Sequence, residues 1–310
     1  MSFRIDPSRI TGSIAPLITP FTDDGALDPE SLRRLVEWQI RAGTHGISIG
    51  GSTGEPSSQT IDERIQAIEI VAEAIGGRVP FIAGTGSAKL DETLTLTAAA
   101  ERAGADAALV ITPYYTRPTQ QALYEWYERV AGDNPNLPII MYNVPSRTAV
   151  ELAPETVARL HRNIDNIVGI KETTKDFEHF SRVIEAADDG ILVWSGIELL
   201  CLPLLALGGV GYISATSNIA PRAAAEMYEY WMAGKQDDAR RIHYALHPLV
   251  DLLFVETNPT TAKWVLEREG RIDSAHVRPP LIPTTKPGIA KVEQLLAQAS
   301  DLMEREREIS

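Results

Sequence analysis

Lys171 stands at the end of a short apolar run, residues 167–170, which reads Ile-Val-Gly-Ile. The run contains β-branched residues, lies between polar residues and is too short for a core helix, so it predicts a buried strand. Burial disfavours a charged ammonium group, and a neutral lysine amine can attack a carbonyl carbon. The alternative is that Lys171 only marks the solvated end of a strand. The remaining lysines fall in predicted helices or loops, so Lys171 is the candidate nucleophile.

Other groups that could take part in such a reaction follow the ends of the neighbouring predicted strands. They are Ser52, Thr53, Tyr114, Tyr115, Tyr142, Arg147, Gly196, Ile213 and Ser214. Hydroxyls and glycine-rich backbone can hold a carboxylate, a tyrosine can move protons, and an arginine can bind a second anion in bidentate fashion. Taken singly, each would more often be a core, turn or surface residue. Together with a lysine amine they predict carbonyl chemistry through an imine.

Several strands must bring these groups together, and the sequence predicts eight. They span residues 12–19, 46–50, 80–84, 107–111, 137–142, 167–171, 191–194 and 211–214. Amphipathic helical patterns alternate with them, and this alternation is typical of a parallel sheet that closes as a (β/α)8 TIM barrel. In that fold the active site lies at the C-terminal ends of the strands, where the candidate groups fall. A doubly wound open sheet is the alternative, but the glycine-rich phosphate-binding motifs of that class are absent from the sequence.

The strand signal stops after Gly234, and the rest of the chain shows helical patterns only. These patterns cover residues 237–255, 260–269 and 286–304. The segment is near the lower end of domain size, which favours packing against the preceding domain. We therefore predict a catalytic barrel over residues 1–235 and a C-terminal helical extension over residues 236–310 that packs on the barrel.

The composition argues against several other classes of protein. The 310 residues carry a formal net charge of −13 and the sequence pI is about 5.0, which disfavours nucleic acids and anionic membranes as partners. Cys201 is the only cysteine, so no internal disulfide or cysteine-based zinc site is expected. His243 and His247 lack the glutamate of a zinc-binding H-E-x-x-H motif, so no metal is expected either. The sequence shows no signal peptide or stretch of transmembrane length, and a cytoplasmic protein is expected.

Four motifs carry a resemblance to a known family. In chain order they are G-S-T-G-E from Gly51, T-P-Y-Y from Thr112, Y-N-V-P-S-R-T from Tyr142 and G-I-K-E-T from Gly169. With this set the chain resembles the dihydrodipicolinate synthase/N-acetylneuraminate lyase family of class I aldolases over nearly its whole length, and most closely the synthase branch. The resemblance implies a (β/α)8 barrel that forms a covalent imine with pyruvate and needs no cofactor.

The resemblance also implies a role for each matching residue. Lys171 matches the Schiff-base lysine, and Tyr142 matches the general acid and base. Ser52 and Thr53 match a hydroxyl pair that binds the pyruvate carboxylate and relays a proton. Tyr115 matches a tyrosine that reaches into the site of a neighbouring subunit, which implies a homotetramer built as a dimer of dimers.

Three further matches concern the substrates. Arg147 matches the arginine that, in the synthase branch, grips the carboxylate of the incoming aldehyde. Gly196 and Ile213 match backbone and side-chain contacts to the bound keto acid. The resemblance therefore implies small-molecule partners, pyruvate and an aldehyde. Aspartate semialdehyde is the expected aldehyde, which would place the enzyme in lysine biosynthesis.

Departures from the family pattern leave alternatives open. The synthase branch usually has a threonine where this chain has Ser52, and a serine there also occurs in the lyase branch. One alternative is a catabolic class I aldolase that releases pyruvate from a dihydroxy dicarboxylate (2,4-dihydroxyhept-2-ene-1,7-dioate type) or a sugar acid (N-acetylneuraminate or 2-keto-3-deoxygluconate type). An alternative of another class is a non-catalytic barrel that binds a keto acid. Pro56, Ile61 and Ala88 stand where feedback-inhibited synthases carry polar residues, which predicts weak or no inhibition by lysine.

Overall fold

The computed structural model describes residues 3–187 and 190–309, and eight β-strands form one sheet in it. The strands are β1 (Gly12–Pro16), β2 (Gly46–Ile49), β3 (Phe81–Gly84), β4 (Ala107–Ile111), β5 (Ile139–Asn143), β6 (Ile167–Glu172), β7 (Leu192–Ser195) and β8 (Gly211–Ile213). Neighbours follow chain order from β1 to β8, and the sheet closes as a barrel of parallel strands. The predicted (β/α)8 TIM barrel with C-terminal helices is confirmed.

Helices alternate with the strands and continue beyond the last of them. The α-helices are α1 (Pro29–Arg41), α2 (Ile61–Ile75), α3 (Leu90–Ala103), α4 (Gln120–Asp133), α5 (Pro145–Thr148), α6 (Pro154–Asn163), α7 (Phe177–Ala187), α8 (Cys201–Ala206), α9 (Pro221–Met232), α10 (Gln236–Ala245), α11 (His247–Leu253), α12 (Thr260–Arg268), α13 (Lys286–Gln298) and α14 (Ser300–Arg307). Short 3-10 helices cover Pro7–Arg9, Ser52–Gly54, Pro56–Ser58, Glu198–Leu200 and Ala215–Asn218. Within the described residues, none of the helices has both the length and the apolar character needed to cross a membrane.

The helix boundaries follow local capping chemistry. The Asp28 side chain accepts a hydrogen bond from the backbone N–H of Ser31 at 3.0 Å, which satisfies an otherwise unpaired donor at the start of α1. Thr60 and Glu63 form a reciprocal capping box at the start of α2. Gly104 ends α3 in the left-handed conformation with φ +84°, which glycine adopts without a steric penalty. At these three sites, residues with known capping preferences therefore determine where the helix begins or ends.

Some predicted boundaries differ from the structure. The helix predicted over residues 237–255 is two helices, because Pro248 lies in the first turn of α11 and cannot donate a backbone hydrogen bond to α10. The helix predicted over residues 286–304 is also two, with Ala299 between α13 and α14. A short helix that the sequence pattern does not predict, α5, follows β5.

The chain divides into two compact units. The first unit holds Pro80–Ile213 with the N-terminal segment up to Thr11, and it contains β3 to β8. The second unit holds the remaining residues, which include β1, β2 and the helices from α9 onward. The predicted boundary between residues 235 and 236 stays a prediction. Residues 1, 2, 188, 189 and 310, which that prediction also covers, lie outside the described residues.

Each unit contains buried hydrogen bonds between a side chain and the backbone of a strand or the residues next to it. In the first unit, the hydroxyl of the fully buried Tyr127 donates a hydrogen bond to the backbone oxygen of Val110 in β4 at 2.9 Å. In the second unit, the Asn218 amide donates to Pro16 O at 2.8 Å and its Oδ1 accepts from Ile18 N at 3.0 Å. These buried hydrogen bonds join side chains of neighbouring elements to the backbone at or near the ends of β4 and β1.

Glu306 of α14 caps the start of α9. Its carboxylate accepts hydrogen bonds from the backbone N–H groups of Arg222 at 3.1 Å and Ala223 at 2.9 Å, and the side chain is buried. Burial raises the pKa of Glu306 to about 7, against the opposing effect of the two backbone hydrogen bonds. The folded protein therefore binds more protons at this carboxyl than the unfolded chain between the ordinary value of 4.5 and about 7. Its contribution to stability is complete below that window and is lost as the pH rises through about 7.

We expect Glu306→Gln to remove this part of the pH dependence of stability. Glutamine offers one acceptor oxygen to the two N–H groups but stays neutral, so the variant should be less stable than the wild type near pH 5 and should recover relative to it by about pH 8. Urea denaturation at several pH values measures the difference. The exposed Glu304→Gln on the same helix is the matched control and should leave the slope unchanged. A difference that is independent of pH would contradict the prediction.

Candidate active site

Lys171 lies near the C-terminal end of β6, with its side chain buried against an aromatic ring. The residue is 6% exposed, and its Nζ lies 4.5 Å from the centroid of the Tyr142 ring. Tyr142 on β5 pairs with Lys171 in the strand register, so both side chains project from the same face of the sheet. The structure therefore brings together the predicted nucleophile and the predicted proton carrier.

The opposite face of the same strand pair carries a buried polar cluster. Asn143 and Glu172 are the next register pair, and the Asn143 amide donates to Glu172 Oε1 at 2.8 Å. Glu172 Oε2 lies 3.3 Å from Nε2 of His179 on α7. Burial opposes a charge on His179, but the hydrogen bond and the attraction of Glu172 raise the pKa of that imidazole. This cluster ties β5, β6 and α7 together directly behind Lys171.

Sequence reasoning missed Glu172 because the strand was predicted to end at Lys171. The strand extends one residue further, and Glu172 is fully buried. Successive residues of a strand point to opposite faces of the sheet, so Glu172 points away from the face that carries Lys171. The signal that could have found it is this alternation together with Asn143, which follows Tyr142 at the corresponding place in β5.

Gly196 after β7 leaves the space that the Lys171 side chain occupies. A Cβ atom on Gly196 would lie 2.6 Å from Lys171 Cε and would also overlap the Thr173 hydroxyl. The backbone cannot move away freely, because Gly196 N donates to Glu172 O at 2.7 Å. Thr173 Oγ1 is buried and has no hydrogen-bond partner within the part of the chain that the structure describes. A further hydroxyl therefore lies beside the predicted Gly196 contact.

We expect Gly196→Ala to block imine formation at Lys171. The added methyl group meets Lys171 and Thr173 at distances that atoms do not adopt, so the amine must move from its position over Tyr142. Reductive trapping of pyruvate with borohydride should give at least about 10-fold less adduct than in the wild type. The control is Gly132→Ala on α4, where a Cβ atom meets nothing within 4 Å. Equal trapping in both variants would contradict this account of Gly196.

The first unit also contains Arg147, Tyr115 and Ile213. Arg147 is exposed on α5, after β5. Tyr115 follows β4, is 91% exposed and has φ +75°, a left-handed conformation that is costly for a residue with a side chain. Ile213 is the buried last residue of β8. All three lie at or after C-terminal strand ends, as predicted, and their roles stay predictions.

Ser52 and Thr53 lie in the second unit, in the short 3-10 helix that follows β2. Ser52 is half-buried and Thr53 is buried, and Thr53 Oγ1 accepts a hydrogen bond from the Asn258 amide at 2.9 Å. The next carbonyl oxygen, that of Gly54, accepts a hydrogen bond from Thr19 Oγ1 at 2.8 Å. The two predicted hydroxyls therefore sit on a turn that is fixed by several buried hydrogen bonds.

A second buried lysine lies behind this turn and was missed by sequence reasoning. Lys263 of α12 is fully buried, forms an ion pair with Glu55 and donates to His276 O at 2.8 Å. Its Nζ lies 4.1 Å from the centroid of the Phe21 ring. Burial lowers the pKa of Lys263 to about 8, and Glu55 partly offsets this effect. Apolar neighbours of Lys263 in the helix were the available signal, but its partner is too distant in sequence to be identified.

No group of three or more His, Cys, Asp or Glu side chains in residues 3–187 and 190–309 is arranged to hold a metal ion. The expectation that the reaction needs no cofactor stays a prediction.

The sequence profile described as the dihydrodipicolinate synthetase family matches residues 9–299 of the chain. The chain belongs to this family. It is 46% identical over 297 residues to a 4-hydroxy-tetrahydrodipicolinate synthase of Thermus thermophilus, and the match covers 96% of this chain and 98% of the relative. The family prediction from the four motifs is confirmed, and so is the enzyme class, a lyase or synthase of the class I aldolase type.

Solved structures of this family have the same fold. Dihydrodipicolinate synthase from Aquifex aeolicus superposes with a TM-score of 0.90 at 39% identity and covers 94% of this chain and 98% of that one. The chloride-inhibited enzyme from Acinetobacter baumannii, solved in complex with pyruvate, has a TM-score of 0.90 at 40% identity and covers 94% and 99%. The similarity to this family therefore includes the barrel and extends over nearly the full length of the chain.

Proposed function

We propose that the protein condenses pyruvate with aspartate semialdehyde and is a 4-hydroxy-tetrahydrodipicolinate synthase. The observation that carries this proposal is the buried Lys171 amine, held over the Tyr142 ring in a space that Gly196 leaves open. A desolvated lysine beside a tyrosine is suited to imine chemistry, because the amine attacks and the phenol moves protons. Relatives that carry this name and a similar structure with bound pyruvate support the same substrate.

The proposed reaction begins with addition of the Lys171 amine to the keto carbon of pyruvate. The carbinolamine loses water to give an imine, with Tyr142 and Ser52 moving protons, assisted by Tyr115 of a neighbouring subunit. Loss of a methyl proton gives an enamine, whose carbon attacks the aldehyde carbon of aspartate semialdehyde. The amine of that substrate then displaces Lys171 and closes the ring, so that one water is released overall and the lysine is regenerated.

We assign substrate binding to groups that match the charge of each substrate. The Thr53 and Ser52 hydroxyls donate to the pyruvate carboxylate, and Gly196 and Ile213 contact the keto acid. Arg147 is exposed and its guanidinium can bind the carboxylate of aspartate semialdehyde in bidentate fashion.

We further propose that Tyr115 acts in a neighbouring subunit of a homotetramer. Its nearly complete exposure and left-handed backbone support a role outside its own chain, since a strained backbone is usually retained for function. The cytoplasmic location that the sequence predicts is part of the same proposal.

The direct test is pyruvate consumption with aspartate semialdehyde as acceptor. Turnover by the wild type is expected, and Arg147→Ala should raise the KM for the aldehyde about 10-fold or more while leaving pyruvate trapping unchanged. Arg162→Ala, at another exposed arginine in the same unit, is the matched control. Pyruvate trapping without condensation would instead favour an aldolase that releases pyruvate from a sugar acid or a dihydroxy dicarboxylate.

A further inference from the structure

The turn that carries Thr53 is held by a residue far away in sequence, Asn258. The Asn258 Nδ2 lies 2.9 Å from Thr53 Oγ1, and both residues are 7% exposed. Asn258 precedes α12 in the second unit, to which Thr53 also belongs. The proposed function assigns no role to Asn258, although its side chain is in direct contact with a group that the proposal uses.

The direction of this hydrogen bond decides what the Thr53 hydroxyl can do. An amide NH2 group only donates, so Thr53 Oγ1 is the acceptor and its own proton points away from Asn258. Because Asn258 cannot accept this proton through its NH2 group, the Thr53 hydroxyl keeps its one O–H to donate to another acceptor. A carboxylate only accepts hydrogen bonds, and a bond between a neutral donor and a charged acceptor is stronger than one between neutral groups. Asn258 therefore orients the Thr53 hydroxyl so that its O–H can donate to a carboxylate ligand.

The same C-terminal segment fixes the far side of the turn. Glu55, two residues after Thr53, has φ +54°, which is unfavourable for a residue with a side chain. Its carboxylate pairs with Lys263 and accepts a hydrogen bond from Arg278 N at 3.1 Å. Asn258 and Lys263 thus hold the turn from both ends, and Thr53 cannot rotate out of place without breaking buried polar contacts.

We propose that Asn258 is a positioning residue for pyruvate, which acts by fixing the Thr53 hydroxyl as a donor to the substrate carboxylate. This inference rests on the proposed function, because it takes pyruvate as the ligand of Thr53. Loss of the orientation removes one hydrogen bond to a charged group, which corresponds to about a 10-fold rise in the pyruvate concentration needed for half-maximal imine formation.

A double-mutant cycle tests whether Asn258 acts through Thr53. Borohydride trapping over a range of pyruvate concentrations gives the half-saturating concentration for the wild type, Asn258→Ala, Thr53→Val and the double variant. We expect each single variant to raise this concentration about 10-fold, and the double variant to match Thr53→Val alone. An equal further loss from Asn258→Ala in the Thr53→Val background would overturn the inference, and so would no loss in the wild-type background.

Asn258→Asp provides a second variant of nearly the same shape. Its ionised carboxylate accepts a hydrogen bond from the Thr53 hydroxyl and so reverses the direction of the bond. Trapping should therefore weaken more than in Asn258→Ala and should improve as the pH falls through the carboxyl pKa. A pH profile parallel to that of the wild type would contradict the inference, even if Asn258→Ala failed to fold. Absence of any adduct in the wild type would show instead that the proposed function is wrong.

Discussion

Lys171→Ala is expected to lower the kcat of pyruvate condensation by at least about 1,000-fold. The alanine side chain cannot form an imine. Pyruvate must then react as the free keto acid, without the easier route through a covalent enamine. The fold should be retained, because Lys171 contacts the Tyr142 ring from one face while Glu172 and Asn143 hold the strand pair from the other. Pyruvate consumption with aspartate semialdehyde measures the loss.

The matched control for this prediction is Lys175→Ala. Lys175 is exposed and lies four residues further along the chain, so the variant removes one positive charge without touching the buried amine. Its kcat should stay within about twofold of the wild type, which is the usual range for a surface substitution. Turnover by Lys171→Ala at a rate near that of the wild type would contradict imine catalysis at this residue.

Lys263→Met is expected to destabilise the protein by about 3–5 kcal/mol, the largest stability effect that we predict. The substitution leaves the Glu55 carboxylate buried without its cation, and Glu55 is 4% exposed. Water cannot easily solvate that charge, so the cost is that of an uncompensated buried ion rather than of one lost contact. Urea denaturation at a fixed pH gives the change in the free energy of unfolding.

The double variant Lys263→Met with Glu55→Leu separates charge from packing. If the cost of the single variant comes from the unpaired carboxylate, removal of that carboxylate should restore most of the lost stability. A loss that is additive in the two substitutions would show that Lys263 acts through packing against Phe21 instead. A change below about 1 kcal/mol for Lys263→Met would contradict the interpretation of a buried ion pair.

Much of this architecture could be predicted from the sequence, because the relevant signals are local. The strand that carries Lys171 is a short apolar run, and the alternation of such runs with helical patterns is sufficient to indicate a barrel. Once the fold is known, the position of Lys171 at a strand end predicts its place in the site. The same reasoning located Tyr142, but the register that sets it beside Lys171 depends on pairing between strands.

The features that escaped prediction depend on contacts between distant segments. Glu172 and His179 meet because β6 extends by one residue beyond Lys171, and the predicted boundary placed Glu172 in a loop. Lys263 has the pattern of an ordinary helical residue, since nothing near it in sequence identifies Glu55 as its partner. The hydrogen bond from Asn258 to Thr53 could not be predicted either, because the two residues are far apart in sequence. Pairwise polar contacts of this kind require the folded structure.

The most direct test of the central claim is peptide mapping of the protein after borohydride reduction in the presence of pyruvate. We expect one pyruvate-derived adduct, located on Lys171 and absent from Lys171→Ala. The buried Lys263 should stay unmodified, because its amine is paired with Glu55 and fully enclosed. An adduct on another lysine, or no adduct at saturating pyruvate, would contradict the assignment of Lys171 as the nucleophile.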